Sequence, residues 1–168
     1  PAKLTLPAYS LGAGVTYTVE LSVLSTASQR AVSAAVQVSV TVGRVVATIA
    51  GGSVRSLRMG STLVLDAGDS YDEDQDPSQT LSLLFQWQCH QTAPVLGAAC
   101  ALIIRGQTEA TMTISAATEL SGGNSTSSQL TVTVSDESVG GSGVRKAQAS
   151  VTVVTVLAAS PEVAVKLS

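Results

Sequence analysis

Leu63-Val-Leu-Asp-Ala-Gly-Asp-Ser-Tyr-Asp-Glu-Asp-Gln-Asp-Pro77 runs through a short polar link into Leu83-Leu-Phe-Gln-Trp-Gln-Cys89. An apolar strand enters an acidic turn and an aromatic strand leaves it. Six of the chain's twelve acidic residues fall between Asp66 and Asp76. The single Trp and the single Phe follow within a few positions, beside one of two cysteines. Strand, Asp/Ser turn and aromatic strand in that order are the pattern of a β-sandwich, because Asp and Ser side chains bond nearby backbone N–H groups where a strand ends.

The surrounding sequence agrees. Apolar residues make up 45% of the 168 positions and aromatics 3%, so the core is built from Val, Leu and Ala with Ser and Thr between them. Branching at Cβ suits a pleated surface and disfavours helix. Strict alternation predicts strands over Val15–Val23, Val36–Val42, Leu130–Val134 and Ala149–Val153. Shorter strands are predicted over Val46–Ala50, Thr62–Asp66, Leu81–Cys89, Ala101–Ile104, Thr111–Ser115 and Val163–Leu167, with Gly, Ser, Asp and Pro clusters as turns. Ala27–Ala35 has mild helical appeal but lies between two alternating runs, and reads as a hairpin connection entering a strand. The expected fold is all-β: tandem immunoglobulin-like antiparallel β-sandwich modules.

An internal repeat sets the module boundaries. Leu6-Pro-Ala-Tyr-Ser-Leu11 resembles Ile114-Ser-Ala-Ala-Thr-Glu-Leu120. Tyr17–Val23 shares three apolar positions with Ser128–Val134, and Ala34–Val38 matches Ala149–Val153, with Arg30 and Arg145 in the preceding turns. At an offset of about 110 to 115 residues, this divides the chain into three parts. Residues 1–43 are the C-terminal strands of one module, residues 44–157 are a complete module, and residues 158–168 begin a third.

Charge and motif content exclude several classes. Nine basic residues are scattered and the net charge is −3, which opposes nucleic-acid binding. No apolar run nears the roughly 18 residues of a membrane span, and the first residue opens no signal peptide. The chain reads as an excerpt, with any signal or anchor outside it. No Gly-x-Ser-x-Gly elbow or phosphate loop occurs, and His90 has no catalytic partner in sequence. No catalytic or cofactor-binding residue is assigned.

The Leu63–Asp74 strand and turn, the Leu83–Cys89 strand and Cys100 together resemble the REJ (receptor for egg jelly) region of polycystin-family proteins. The Leu6–Leu11 segment fits the same pattern. The related PKD-type repeat shares the turn and the Trp strand, but normally continues into an Asp/Gly-rich turn where Gln88-Cys-His90 stands here. The resemblance implies a non-catalytic structural or adhesive segment of a large ciliary or flagellar surface glycoprotein. The resemblance also implies that it reaches the outer face of the cell or ciliary membrane through the secretory pathway. Its implied partners are other extracellular domains, a filament protein or a polycystin-type channel. Two other readings stand beside it: a calcium-dependent adhesion or carbohydrate-binding module, and an accessory domain of a secreted hydrolase.

Four features carry the chemistry. Asp72, Asp74 and Asp76 place carboxylates at alternate positions and are the candidate Ca²⁺ ligands, against a purely structural turn. The segment lacks the Gly and Glu of an EF-hand loop, since Pro77 and Leu83 hold those places. The spacing of Cys89 and Cys100 fits no common zinc pattern. In an extracellular setting a local disulfide is expected, with free thiols or outside partners as alternatives. Asn124-Ser-Thr126 is an N-glycosylation sequon in a Gly/Ser loop. Trp87, with Phe85, is expected in the core beside the disulfide.

Overall fold

A computed structural model of the chain describes residues 3–78, 83–97, 99–116, 125–136 and 144–156. It is all-β, with eleven strands: β1 (Thr16–Leu24), β2 (Ala31–Ser39), β3 (Val45–Val46), β4 (Val54–Arg58), β5 (Thr62–Asp66), β6 (Tyr71–Asp72), β7 (Leu83–Ala93), β8 (Leu102–Arg105), β9 (Thr111–Ala116), β10 (Thr126–Asp136) and β11 (Arg145–Val156).

Two sheets form the sandwich. One has the order β4-β11-β10-β7 and the other β5-β9-β8. The alternation read from the sequence decides which side chains enter the space between them. Leu130, Val132 and Val134 of β10, Val151 and Val153 of β11, and Trp87 of β7 meet Leu65, Met112 and Ile114 of the second sheet, all buried. Each fully buried Leu or Val contributes roughly 1.5–3 kcal/mol relative to exposure. Phe85 and Cys89 pack against this core, partly buried. The Trp87 indole N–H donates to the carbonyl of Glu109 at 2.9 Å, so the ring is buried without an orphaned donor.

The expectation of wholly antiparallel sheets needs correction. β11 pairs with β4 in parallel, Thr152 opposite Val54 through Val156 opposite Arg58. Alternation reports which face is buried, and it is blind to the direction of the neighbour. β4 itself was missed, because Val54-Arg-Ser-Leu-Arg58 shows one buried position, Leu57. β6 was missed because two residues make no pattern; it exists through its pairing with β3. The strand expected over Val46–Ala50 is only the short β3. The strand expected over Val163–Leu167, and residues 158–168 as a whole, lie outside the described residues.

β1 and β2 form a separate antiparallel hairpin, from Thr16 opposite Ser39 to Leu24 opposite Ala31. Ala27–Ala35 is a turn entering β2, as read. Residues 3–15 are irregular and run alongside, with the amide of Gly14 donating to Val40 and that of Gly12 to the Tyr17 hydroxyl.

Candidate functional site

The acidic segment is held in place by its own short polar side chains. Asp66 accepts the amide of Gly68 at 2.8 Å as β5 ends. The Ser70 hydroxyl, buried, donates to the carbonyl of Ala67 at 2.7 Å and accepts the amide of Thr48 at 3.1 Å. Asp72 accepts the amide of Asp74 at 3.0 Å, and Asp76 that of Ser78 at 2.8 Å. These side-chain turns direct the chain out of β5, through β6 beside β3, and back along the end of the sandwich.

Three carboxylates then converge on one guanidinium. Arg145 opens β11 on the strand's inward face. Its Nη2 donates to Asp72 and to Asp136, each at 2.6 Å, and its Nη1 donates to Asp74 at 2.6 Å. The Nη1 group also donates to the carbonyl of Gly43 at 3.1 Å. The Asp72 and Asp136 side chains are buried, and those of Asp74 and Arg145 are partly exposed. Partial burial opposes the charge of Arg145. The hydrogen bond to Asp136 and the charge and bond of Asp72, with the charge of Asp74, outweigh it and raise its pKa above the usual arginine value.

The same turn grips the segment that joins the hairpin to the sandwich. Both oxygens of Asp74 accept the amide of Gly43, at 2.9 and 3.0 Å. Glu73 accepts the amide of Arg44 at 2.9 Å, and its own amide donates to the Arg44 carbonyl at 3.0 Å. The backbone bond from Arg44 holds the Glu73 carboxyl below the usual glutamate range. Gly43 has no room for a side chain: a Cβ there would lie 2.7 Å from the Glu73 Cβ and 2.9 Å from the Asp74 carboxylate. Between this turn and the N-terminal segment lies a groove of about 230 Å³ lined by Leu6, Pro7, Tyr9, Leu11, Val40 and Glu73, among others.

Of the candidate calcium ligands, Asp72 and Asp74 come together and Asp76 does not. The first two point at Arg145, and Asp76 caps the next turn, where the Ser78 amide lowers its pKa. A guanidinium occupies the place between Asp72 and Asp74 that a cation would take. Among the described residues, no group of three or more His, Cys, Asp or Glu side chains is arranged to hold a metal ion. Cys89 and Cys100 are joined as a disulfide, Cα atoms 5.8 Å apart, linking β7 to the segment before β8. Asn124 lies outside the described residues.

Arg145, Asp136 and Gly43 were not read from the sequence as parts of this site. A signal for Arg145 was present. The pattern Arg145-x-Ala147-x-Ala149-x-Val151 places a charge on the face of a strand that is otherwise apolar, and an inward charge requires a buried partner.

No curated protein matches the chain. One similar solved structure is a nucleoside hydrolase-related hypothetical protein from Saccharophagus degradans, described as associated with carbohydrate metabolism. It is 20% identical, with a TM-score of 0.47, over 68% of this chain and 26% of that one. This chain thus spans about a quarter of that structure's length, and a likeness at this level carries no argument. The REJ domain, in contrast, matches residues 1–167, essentially from end to end. The order of acidic turn, Trp strand and second cysteine, on an all-β frame, is thereby accounted for: the chain belongs to the REJ domain family.

Proposed function

We propose that this segment is a non-catalytic structural element of a large surface glycoprotein, in which the acidic turn is the joint between successive sandwich modules. REJ domains are extracellular in polycystin-like proteins, and the Cys89–Cys100 disulfide is compatible with the oxidising secretory pathway. Residues 44–157 are a complete module and residues 1–43 the end of another. The observation that carries the reading is the convergence of Asp72, Asp74, Asp136 and the Gly43 carbonyl on Arg145. The guanidinium binds the sandwich's own strands and the linker at once. A charged group with bonds on two sides has few alternative positions, so it limits how the joint can bend.

Membership of the family supports a finer assignment. The segment spaces and orients modules on the outside of a cell or cilium, and its partners are further extracellular domains, a filament protein or a polycystin-type channel. Small-angle scattering of the wild-type chain and of Gly43→Ala tests the joint. The substitution expels the linker from the Asp74–Glu73 clasp, and the distance distribution broadens while the sandwich still unfolds cooperatively. Identical scattering from the two proteins would remove the joint from the proposal. Surface biotinylation of intact cells bearing the tagged full-length protein tests the extracellular placement.

A further inference from the structure

The β1–β2 hairpin presents an apolar face that is partly buried at Tyr17, Val19 and Val38 and, among the described residues, left exposed at Leu21, Val23, Val32, Ala34 and Val36. Residues directly opposite in an antiparallel pair share a face. Tyr17 with Val38, Val19 with Val36, Leu21 with Ala34 and Val23 with Val32 therefore form one side. The other side holds Thr16, Thr18, Glu20 and Ser22 with Ser39, Gln37, Ala35 and Ser33, and Leu24 with Ala31 next to the turn. Leu21 and Val36 are each 59% exposed and Val32 68%.

The second hairpin of this chain shows what such a face meets. Under the sequence repeat, Tyr17, Val19, Leu21 and Val23 correspond to Ser128, Leu130, Val132 and Val134. Val38, Val36, Ala34 and Val32 correspond to Val153, Val151, Ala149 and Ala147. The structure pairs Ser128 with Val153, Leu130 with Val151, Val132 with Ala149 and Val134 with Ala147. Every β1–β2 pair thus maps onto a β10–β11 pair without a slip of register. Chance register would have moved the apolar set to opposite faces at any one-residue shift. In the β10–β11 hairpin, Val132 and Val134 are 0% exposed, because β5-β9-β8 lies across them. β7 flanks β10 in the antiparallel sense and β4 flanks β11 in parallel.

The correspondence extends to the charge. Arg30 stands where Arg145 stands, its carbonyl accepting the amide of Ser25 at the Asp136 position. Arg145 meets the acidic turn of its own module. Arg30 is exposed and makes no ion pair among the described residues.

We infer that the apolar face of β1–β2 is completed by the sheet of a further REJ-type module. That sheet adds an antiparallel strand to the edge of β1, adds a parallel strand to the edge of β2, and brings an acidic turn to Arg30. This deepens the modular reading proposed above. The two are separable, since Gly43→Ala reads the joint and the test below reads the hairpin face. A second copy of this chain is the competing occupant, but its equivalent sheet is already filled by its own β10–β11.

The test uses the chain's own sheet as the probe. Residues 44–113 are placed ahead of residue 6 of the chain, so that Leu6 takes the position of Ile114 and the added strands precede β1–β2 as they normally precede β10–β11. The added copy of Trp87 is expected to be buried, roughly doubling the blue-shifted emission, and the added segment to resist trypsin. Leu21→Asp with Val36→Asp should abolish both signals and leave the original sandwich folded. Ser22→Asp with Gln37→Asp, on the opposite face, should change neither. Three results would overturn the inference. The added segment stays trypsin-sensitive with solvent-exposed Trp emission in every background. The added segment folds regardless of Leu21→Asp and Val36→Asp. The unextended chain is a stable dimer that those two substitutions dissociate, which would make a second copy the occupant.

Discussion

Replacing Arg145 by Ala removes the single cation that three carboxylates share. The Arg145 side chain is 20% exposed, Asp72 0%, Asp136 1% and Asp74 18%. Two of the three anions thus have almost no access to water that could replace the guanidinium. Breaking a buried ion pair by deleting one partner costs about 3–5 kcal/mol, because the remaining charge is left uncompensated. An exposed pair costs only about 0–1 kcal/mol. The burial on this site places the loss in the first range, or about 12–20 °C in melting temperature at roughly 4 °C per kcal/mol for a domain of this size. The assay is urea unfolding followed by the emission of Trp87, the only Trp in the chain. A fall in midpoint with unchanged slope isolates the stability term. Asp72→Asn combined with Arg145→Ala closes a double-mutant cycle and should recover part of the loss, since a neutral amide tolerates the missing guanidinium better than a carboxylate does. A loss below about 1 kcal/mol would show that the cluster behaves as a solvated surface pair, and the argument from burial would fail.

Two further outcomes follow from the same geometry. Changing Cys89 and Cys100 together to Ser opens a crosslink of sequence separation 11, and lost chain-entropy restriction lowers stability by roughly 3 kcal/mol; an equal urea midpoint with and without the disulfide would refute this. The Glu73 carboxyl, held below its usual range by the Arg44 amide, should titrate by NMR with a midpoint below the ordinary glutamate value. Because its pKa is depressed on folding, its stabilising effect is complete above the unfolded value near 4.5 and disappears as pH falls through the folded one. Glu73→Gln should therefore make unfolding less pH-dependent in that acidic window, and an unchanged acid limb would count against the Glu73–Arg44 clasp.

Much of the fold is legible because β-sandwich strands announce themselves locally. Leu130–Val134 and Ala149–Val153 alternate so strictly that one face must be buried, and Trp87 and Phe85 point to the same side as Cys89. The elements that escaped reading are those held by pairing alone. β4 shows one buried residue in five, and the two residues of β6 are a strand only because Val45 and Val46 lie beside them.

The acidic turn divides along the same line. Its local half depends on sequence spacing alone: Asp66, Asp72 and Asp76 each accept the amide two residues on, and the Ser70 hydroxyl donates to the Ala67 carbonyl three residues back. Its long-range half was not. Alternating carboxylates at Asp72, Asp74 and Asp76 look like an oxygen cage in one dimension, and nothing local says that Arg145 will arrive from more than seventy residues away. The sequence by itself determined an all-β chain, the Trp strand with its cysteine, and the Asp/Ser turn, because each is written in neighbouring residues. Only the tertiary structure decided that the turn closes on a guanidinium and a glycine linker, and that the β10–β11 hairpin is buried against a second sheet. Those outcomes depend on which strand lies beside which, and side-chain periodicity carries no record of its neighbour.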